Sequence, residues 1–190
     1  MRQQMIAVVS GLPRSGTSMM MEMLEAGGMG VLTDYLREPD SDNPRGYYEF
    51  ERVKQLKHDH EWLKDAEGKA VKIISQLLRY LPADYSYKVV FMRREMDEIL
   101  ASQRKMLVRR GEATDRIADD RLAVLFRQHV ERVEDWLDQQ PNFDVIYVSY
   151  NRILEEPHTQ ARRVAEFLSR ALDVGAMTDV VDPNLYRQRA

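Results

Sequence analysis

The chain has 190 residues, enough for one domain with a substantial core and short for two. Hydrophobic residues make up 44% and charged residues 31%, which excludes a disordered tail and an integral membrane protein. Basic side chains number 28 against 31 acidic ones, leaving a net charge of −3 and no general pull toward nucleic acid or anionic lipid, while the lack of cysteine excludes disulfides, thiolate zinc and cysteine nucleophiles. The expectation is a cytoplasmic protein with one domain over residues 1–190.

Short apolar runs alternate with stretches of helical periodicity, which is how a parallel sheet flanked by helices reads. MIAVVS (5–10) predicts the first strand, and its apolar run stops at Gly11, too soon for a signal peptide or membrane span. GLPRSGTS follows and opens a helix that Gly27 and Gly28 close. The methionines at 19, 20, 21, 23 and 29 read as flexible packing around that helix. GVL (30–32) predicts a second strand. Residues 33–50, with Pro39, Pro44 and Gly46, form a long aperiodic loop of the kind that often carries function. Val53, Leu56, His60 and Leu63 recur at helical spacing and predict a core-facing helix. On it His58 and His60 point about 200° apart, so joint metal ligation is not expected. AVKII (70–74), KVVFM (88–92) and FDVIYVS (143–149) predict three more strands. Leu122, Leu125 or Phe126, Val130, Val133 and Leu137 mark a helix between the last two. Pro157 suits the first turn of another, through Ala161, Val164, Ala165 and Leu168. Residues 172–190 read as an irregular tail. The predicted fold is α/β, a three-layer P-loop-like arrangement with a mostly parallel five-stranded sheet flanked by helices.

Gly11 and Gly16 have the spacing of the phosphate-binding GxxxxGK[ST] loop, whose glycines let backbone N–H groups converge on an anion at a helix N-terminus. The Lys is missing: Thr17 and Ser18 follow Gly16, and the only cation in the loop is Arg14. A tight strand-to-helix turn is the ordinary alternative. ATP chemistry concentrates charge that a loop Lys and magnesium neutralise, and only Asp34 stands after a predicted strand as a metal carboxylate. A donor with less charge would need less of both.

The segment VSGLPRSGTSMMMEMLEA resembles the 5′-phosphosulfate loop of sulfotransferases, in the PRSGT form of tyrosylprotein and many bacterial members. KVVFMRREMDEILAS resembles the family's 3′-phosphate segment, an Arg with a Ser eight residues later, matched by Arg94 and Ser102, although Met96 stands where Pro is frequent. AVKIISQLLRYLP resembles the strand bearing a catalytic Lys, matched by Lys72. Ile74 occupies the position of the His that serves cytosolic members as general base. VIYVSYNRILEEPHTQARRVAEFL resembles the segment whose Tyr approaches adenine, matched by Tyr150. The resemblance covers roughly residues 5 to 170. It implies 3′-phosphoadenosine 5′-phosphosulfate (PAPS) as co-substrate, no metal, and a small-molecule, glycan or lipid acceptor.

Sulfuryl transfer needs a group to stabilise charge on the leaving oxygen and a base for the acceptor proton. Arg14 is the candidate for the first, with Ser15, Gly16, Thr17 and Ser18 offering N–H groups and hydroxyls to the 5′-phosphate. Lys72 is a candidate contact for the sulfonate. Arg14 also reads as a surface ion-pair partner, and Lys72 as a solvated lysine beside a buried strand. The acids Asp34, Glu38, Asp40, Asp42 and Glu49 lie in the long loop. Glu49 is favoured as base because Tyr47, Tyr48 and a Pro–Gly turn set it in apolar surroundings that would raise its affinity for a proton. A solvated loop acid is the alternative, and the tyrosines either line an acceptor pocket or pin the loop. The basic residues Arg93, Arg94, Arg104, Lys105, Arg109 and Arg110 form an island that is either a solvated helix face or an anion attractor. Arg187 and Arg189 are candidate substitutes for a basic C-terminal element. The rival readings are a small-molecule kinase using ATP and magnesium, and a nucleotide-binding regulator without catalysis.

Overall fold

The computed structural model describes residues 5–40, 46–114 and 117–182. Asp42 in the long loop and Arg187 and Arg189 in the tail lie outside the described residues. Five strands form one sheet: β1 (Ile6–Gly11), β2 (Val31–Leu32), β3 (Ala70–Lys72), β4 (Tyr87–Arg93) and β5 (Phe143–Ser149), in the order β2-β3-β1-β4-β5. Every pairing is parallel, with Val8 opposite both Val71 and Val89.

All six residues of β1 are buried, as expected of a central parallel strand covered on both faces. Alternate side chains leave the strand in opposite directions. Ala7 and Val9 join Met20, Met21, Met23 and Leu24 of α1 (Thr17–Ala26), together with Ile153 of α5 (Tyr150–Glu155), Ala161, Val164 and Leu168 of α6 (Pro157–Leu168), and Met177 of α7 (Val174–Asp179). Ile6 and Val8 join Trp62 and Leu63 of the segment around α2 (Leu63–Ala66), Leu78, Leu81, Phe91, and Leu137 at the end of α4 (Asp119–Leu137). Helices therefore cover each face of the sheet, giving the three layers expected. α3 (Met96–Arg109) follows β4. It begins at Met96 itself, so the missing Pro does not delay the helix.

Two stretches differ from the sequence reading. Residues 51–66 are not one helix but a 3-10 turn (Glu51–Gln55), a bend and the short α2. Asp59 explains the break: its carboxylate accepts Arg52 Nε and Nη2 at 2.7 and 2.8 Å and the Glu61 N–H at 3.2 Å, and its carbonyl accepts Trp62 Nε1 at 3.1 Å. Such local bonds compete with helical ones. The supposedly irregular tail contains α7, where Asp173 Oδ1 caps the Ala176 N–H at 2.9 Å and Met177 packs against Gly27.

Candidate active site

Because all strands run parallel, their C-terminal ends share one edge. The chain leaves β1 toward β2 on one side and later crosses from β3 to β4 on the other, and ligands of open α/β sheets bind where the order reverses in this way. A cavity of about 520 Å³ opens there, bordered by the loops after β1, β3, β4 and β5.

The loop after β1 is shaped by positive φ at Gly11 (144°), Arg14 (71°) and Gly16 (96°). Gly16 has two reasons to be glycine. Its φ is costly for an L side chain, and a Cβ there would lie 2.4 Å from Tyr150 Cδ2. Gly11, Arg14, Gly16, Thr17 and Ser18 face the cavity. Ser15 does not: its hydroxyl and N–H both donate to the Leu12 carbonyl, at 2.7 and 3.2 Å. This gives Ser15 a place inside the loop rather than on its ligand-facing side. Arg14 Nε donates to Ser102 Oγ of α3 at 2.8 Å, joining the two phosphate-type motifs directly.

Arg94, just beyond β4, is almost wholly buried, with 8% of its side chain exposed. Its Nε donates to Glu98 Oε2 at 2.8 Å, its Nη1 donates to the Arg14 carbonyl at 3.1 Å, and its guanidinium lies 4.4 Å from the Tyr150 ring centroid. Asn151 Nδ2 donates to the other oxygen of Glu98 at 2.9 Å. Arg94 is therefore already paired with an acid on the first turn of the helix that follows it. Burial raises the Tyr150 hydroxyl pKa, which keeps that ring uncharged and suited to stacking.

On the other flank, Lys72 ends β3 with 10% of its side chain exposed. Its Nζ donates to the Tyr47 carbonyl and, at 3.3 Å, to Ser18 Oγ. Burial pulls its pKa down to about 8, only partly opposed by Glu49 at 3.9 Å. Among the described loop acids, Glu49 is the one that lines the cavity. Its surroundings are not the apolar ones expected: Arg37 Nη1 donates to Glu49 Oε1 at 2.8 Å while the same guanidinium stacks 3.2 Å from the Tyr47 ring centroid. Glu49 thus sits between two cations. Tyr47 donates its hydroxyl to Asp40 at 2.6 Å and is pushed up to about 12 by burial and that bond. Tyr48 turns away to Glu25 at 2.7 Å and pins the loop to α1.

Asp34 does not border the cavity; its carboxylate accepts the backbone N–H groups of Glu51 and Leu36 at 2.6 and 3.1 Å. Three residues of the basic island form ion pairs, Arg93 with Glu134 at 2.7 Å, Arg94 with Glu98, and Arg104 with Asp119; Arg94, Lys105 and Arg109 border the cavity. Among the described residues no cluster of three or more His, Asp or Glu is placed to hold a metal ion, and no helix is long and apolar enough to cross a membrane. Sequence reasoning missed Arg37, Glu98 and Asn151. The i,i+4 spacing of Arg94 and Glu98 was the available signal for one of them.

Compared with known protein families, residues 6–186 match the sulfotransferase domain. No curated protein matches. Solved structures with the same fold include the sulfotransferase domain of the Synechococcus PCC 7002 olefin synthase (15% identity, 99% of this chain and 85% of that one, TM-score 0.57). Sulfotransferase STF1 from Mycobacterium tuberculosis H37Rv is 19% identical over 97% of this chain and 73% of its own, with a TM-score of 0.61. Mouse sulfotransferase SULT7A1, solved in complex with PAP, is 14% identical over 95% and 63%, with a TM-score of 0.52.

Proposed function

We propose, from the premise that this chain belongs to the sulfotransferase domain family, that it moves a sulfonate group from PAPS to a hydroxyl or amine of a small-molecule, glycan or lipid acceptor. The observation that carries this reading is the convergence of three sheet-end motifs on one cavity: the loop after β1, Arg94 and Ser102 after β4, and Tyr150 after β5, with Arg14 bonded to Ser102 and Arg94 to the Arg14 carbonyl. The donor set fits PAPS: a glycine loop at the α1 N-terminus for the 5′-phosphosulfate, Arg94 with Ser102 for the 3′-phosphate, and an uncharged Tyr150 ring for adenine.

When bound, PAPS supplies the sulfonate and a phosphate leaving group. Arg14 carries the permanent charge suited to stabilising the oxygen that leaves, and backbone N–H groups of Gly16, Thr17 and Ser18 orient that phosphate. Lys72, held by Ser18 and Tyr47, is the cation on the acceptor flank. Glu49, which lines the cavity and is held by Arg37 rather than by apolar neighbours, is the carboxylate we assign to take the acceptor proton. The reading needs no metal ion, and a cytoplasmic setting accompanies it. The kinase alternative is not favoured.

Calorimetry with adenosine 3′,5′-bisphosphate, AMP, ADP and ATP tests the donor. The bisphosphate should bind at least about tenfold more tightly than AMP or ADP without magnesium, from one charge-assisted contact, and Arg94→Ala should erase most of that preference. Equal affinities for AMP and the bisphosphate, or magnesium-dependent ATP binding as the tightest of the four, would overturn it.

A further inference from the structure

A buried carboxylate beside the arginine of an anion site works against net attraction, because the Arg94–Glu98 pair carries no net charge. Glu98 has 2% of its side chain exposed, so it also forgoes the hydration that normally compensates an ionised acid. A buried pair of this kind is weak evidence for stability, and fixing one arrangement is the use left for it.

The contacts specify that arrangement. Arginine has four side-chain torsions and a flat fork of donors, so its value to a phosphate depends on where the fork points. Glu98 holds the Nε edge at 2.8 Å, the Arg14 carbonyl takes Nη1 at 3.1 Å, and the Tyr150 ring covers one face at 4.4 Å. Glu98 is itself held from behind by Asn151 Nδ2 at 2.9 Å, and Asn151 is the neighbour of Tyr150 on the first turn of α5. Three elements, α3, α5 and the loop after β1, thus orient one guanidinium that borders the cavity. We propose that Glu98, backed by Asn151, is a positioning residue that aims Arg94 at the 3′-phosphate of the donor. This rests on the donor reading above. Selectivity for a 3′-phosphorylated nucleotide then comes from orientation set before binding rather than from net charge.

The test is the ratio of affinities for adenosine 3′,5′-bisphosphate and AMP, measured by calorimetry on the full chain. Glu98→Leu should bring a wild-type ratio of about tenfold or more to within about threefold, because the 3′-phosphate contact, absent in AMP, depends most directly on the aim of Arg94. Glu98→Gln should keep most of the ratio, since its amide oxygen still accepts from Nε. Asn151→Ala should fall between, and it carries the test if Glu98→Leu does not fold. A ratio unchanged in Glu98→Leu or in Asn151→Ala overturns the inference, as does equal loss in the Leu and Gln variants, which would indicate a general structural role. A wild type that shows no preference would instead remove the donor reading, and the inference with it.

Discussion

Gly16→Ala is a sharp perturbation of the loop. The new methyl meets two separate costs: φ of 96° disfavours any L side chain by about 1–2 kcal/mol, and a Cβ 2.4 Å from Tyr150 Cδ2 must displace a buried ring, an overpacking cost of about 1–3 kcal/mol. The sum is about 2–5 kcal/mol, or a fall in melting temperature of roughly 4 to 20 °C for a chain of this size. Thermal unfolding followed by circular dichroism measures it. The two parts separate in a double-mutant cycle with Tyr150→Ala, because removing the ring removes the clash and leaves the backbone cost. The coupling between the two changes should be about 1–3 kcal/mol in the sense of rescue. A single variant that melts within about 2 °C of the wild type, or a cycle with no coupling, would refute the close approach of Gly16 and Tyr150.

Arg14→Ala should leave the fold intact and lower kcat for sulfuryl transfer by about two to four powers of ten, the scale of a lost electrostatic stabiliser; near wild-type turnover would remove its assignment. Glu49→Gln should lower kcat with little change in donor affinity, because the donor contacts lie on the other flank; an unchanged rate and pH profile would exclude it as the base. Lys72 gives a pH dependence of stability. Its folded pKa of about 8 lies below the ordinary lysine value, so between about pH 8 and 10.5 the unfolded chain binds more protons and stability rises with pH, by on the order of 3 kcal/mol in full. The stability advantage of Lys72→Met over the wild type should therefore be largest below pH 8 and shrink toward pH 10.5. A gap that does not vary with pH contradicts the buried charge.

The strands were legible because a doubly covered parallel strand must be apolar along its length, as IAVVS is, and the loop was legible because its glycine spacing is dictated by backbone geometry. The breaks were harder to see. Val53, Leu56 and Leu63 are buried as their spacing suggests, yet Asp59 diverts the chain through side-chain bonds that no periodicity reveals. α7 escaped because it is short and contains Gly175, leaving Asp173 as its single cap signal. In the site, Glu49 was singled out among the loop acids on the expectation of apolar surroundings, and the cation that surrounds it instead, Arg37, comes from the far arm of the same aperiodic loop. Burial of Glu98 escaped notice because an acid in a basic helix reads as solvated until the opposing α5 is in place.

The central position of β1 also bears on how the chain comes into being. β1 precedes both of its neighbours along the chain: Ala7 pairs with Ala70 of β3, 63 residues on, and Val8 with Val89 of β4, 81 residues on, so neither partner exists when β1 is synthesised. Until they follow, a strand whose every residue is destined for the interior has no sheet to join. Its pairing closes large loops, which slows folding and prolongs the exposure of an adhesive segment. In the nascent chain, the strand that ends in the phosphate loop is thus a natural binding site for a chaperone.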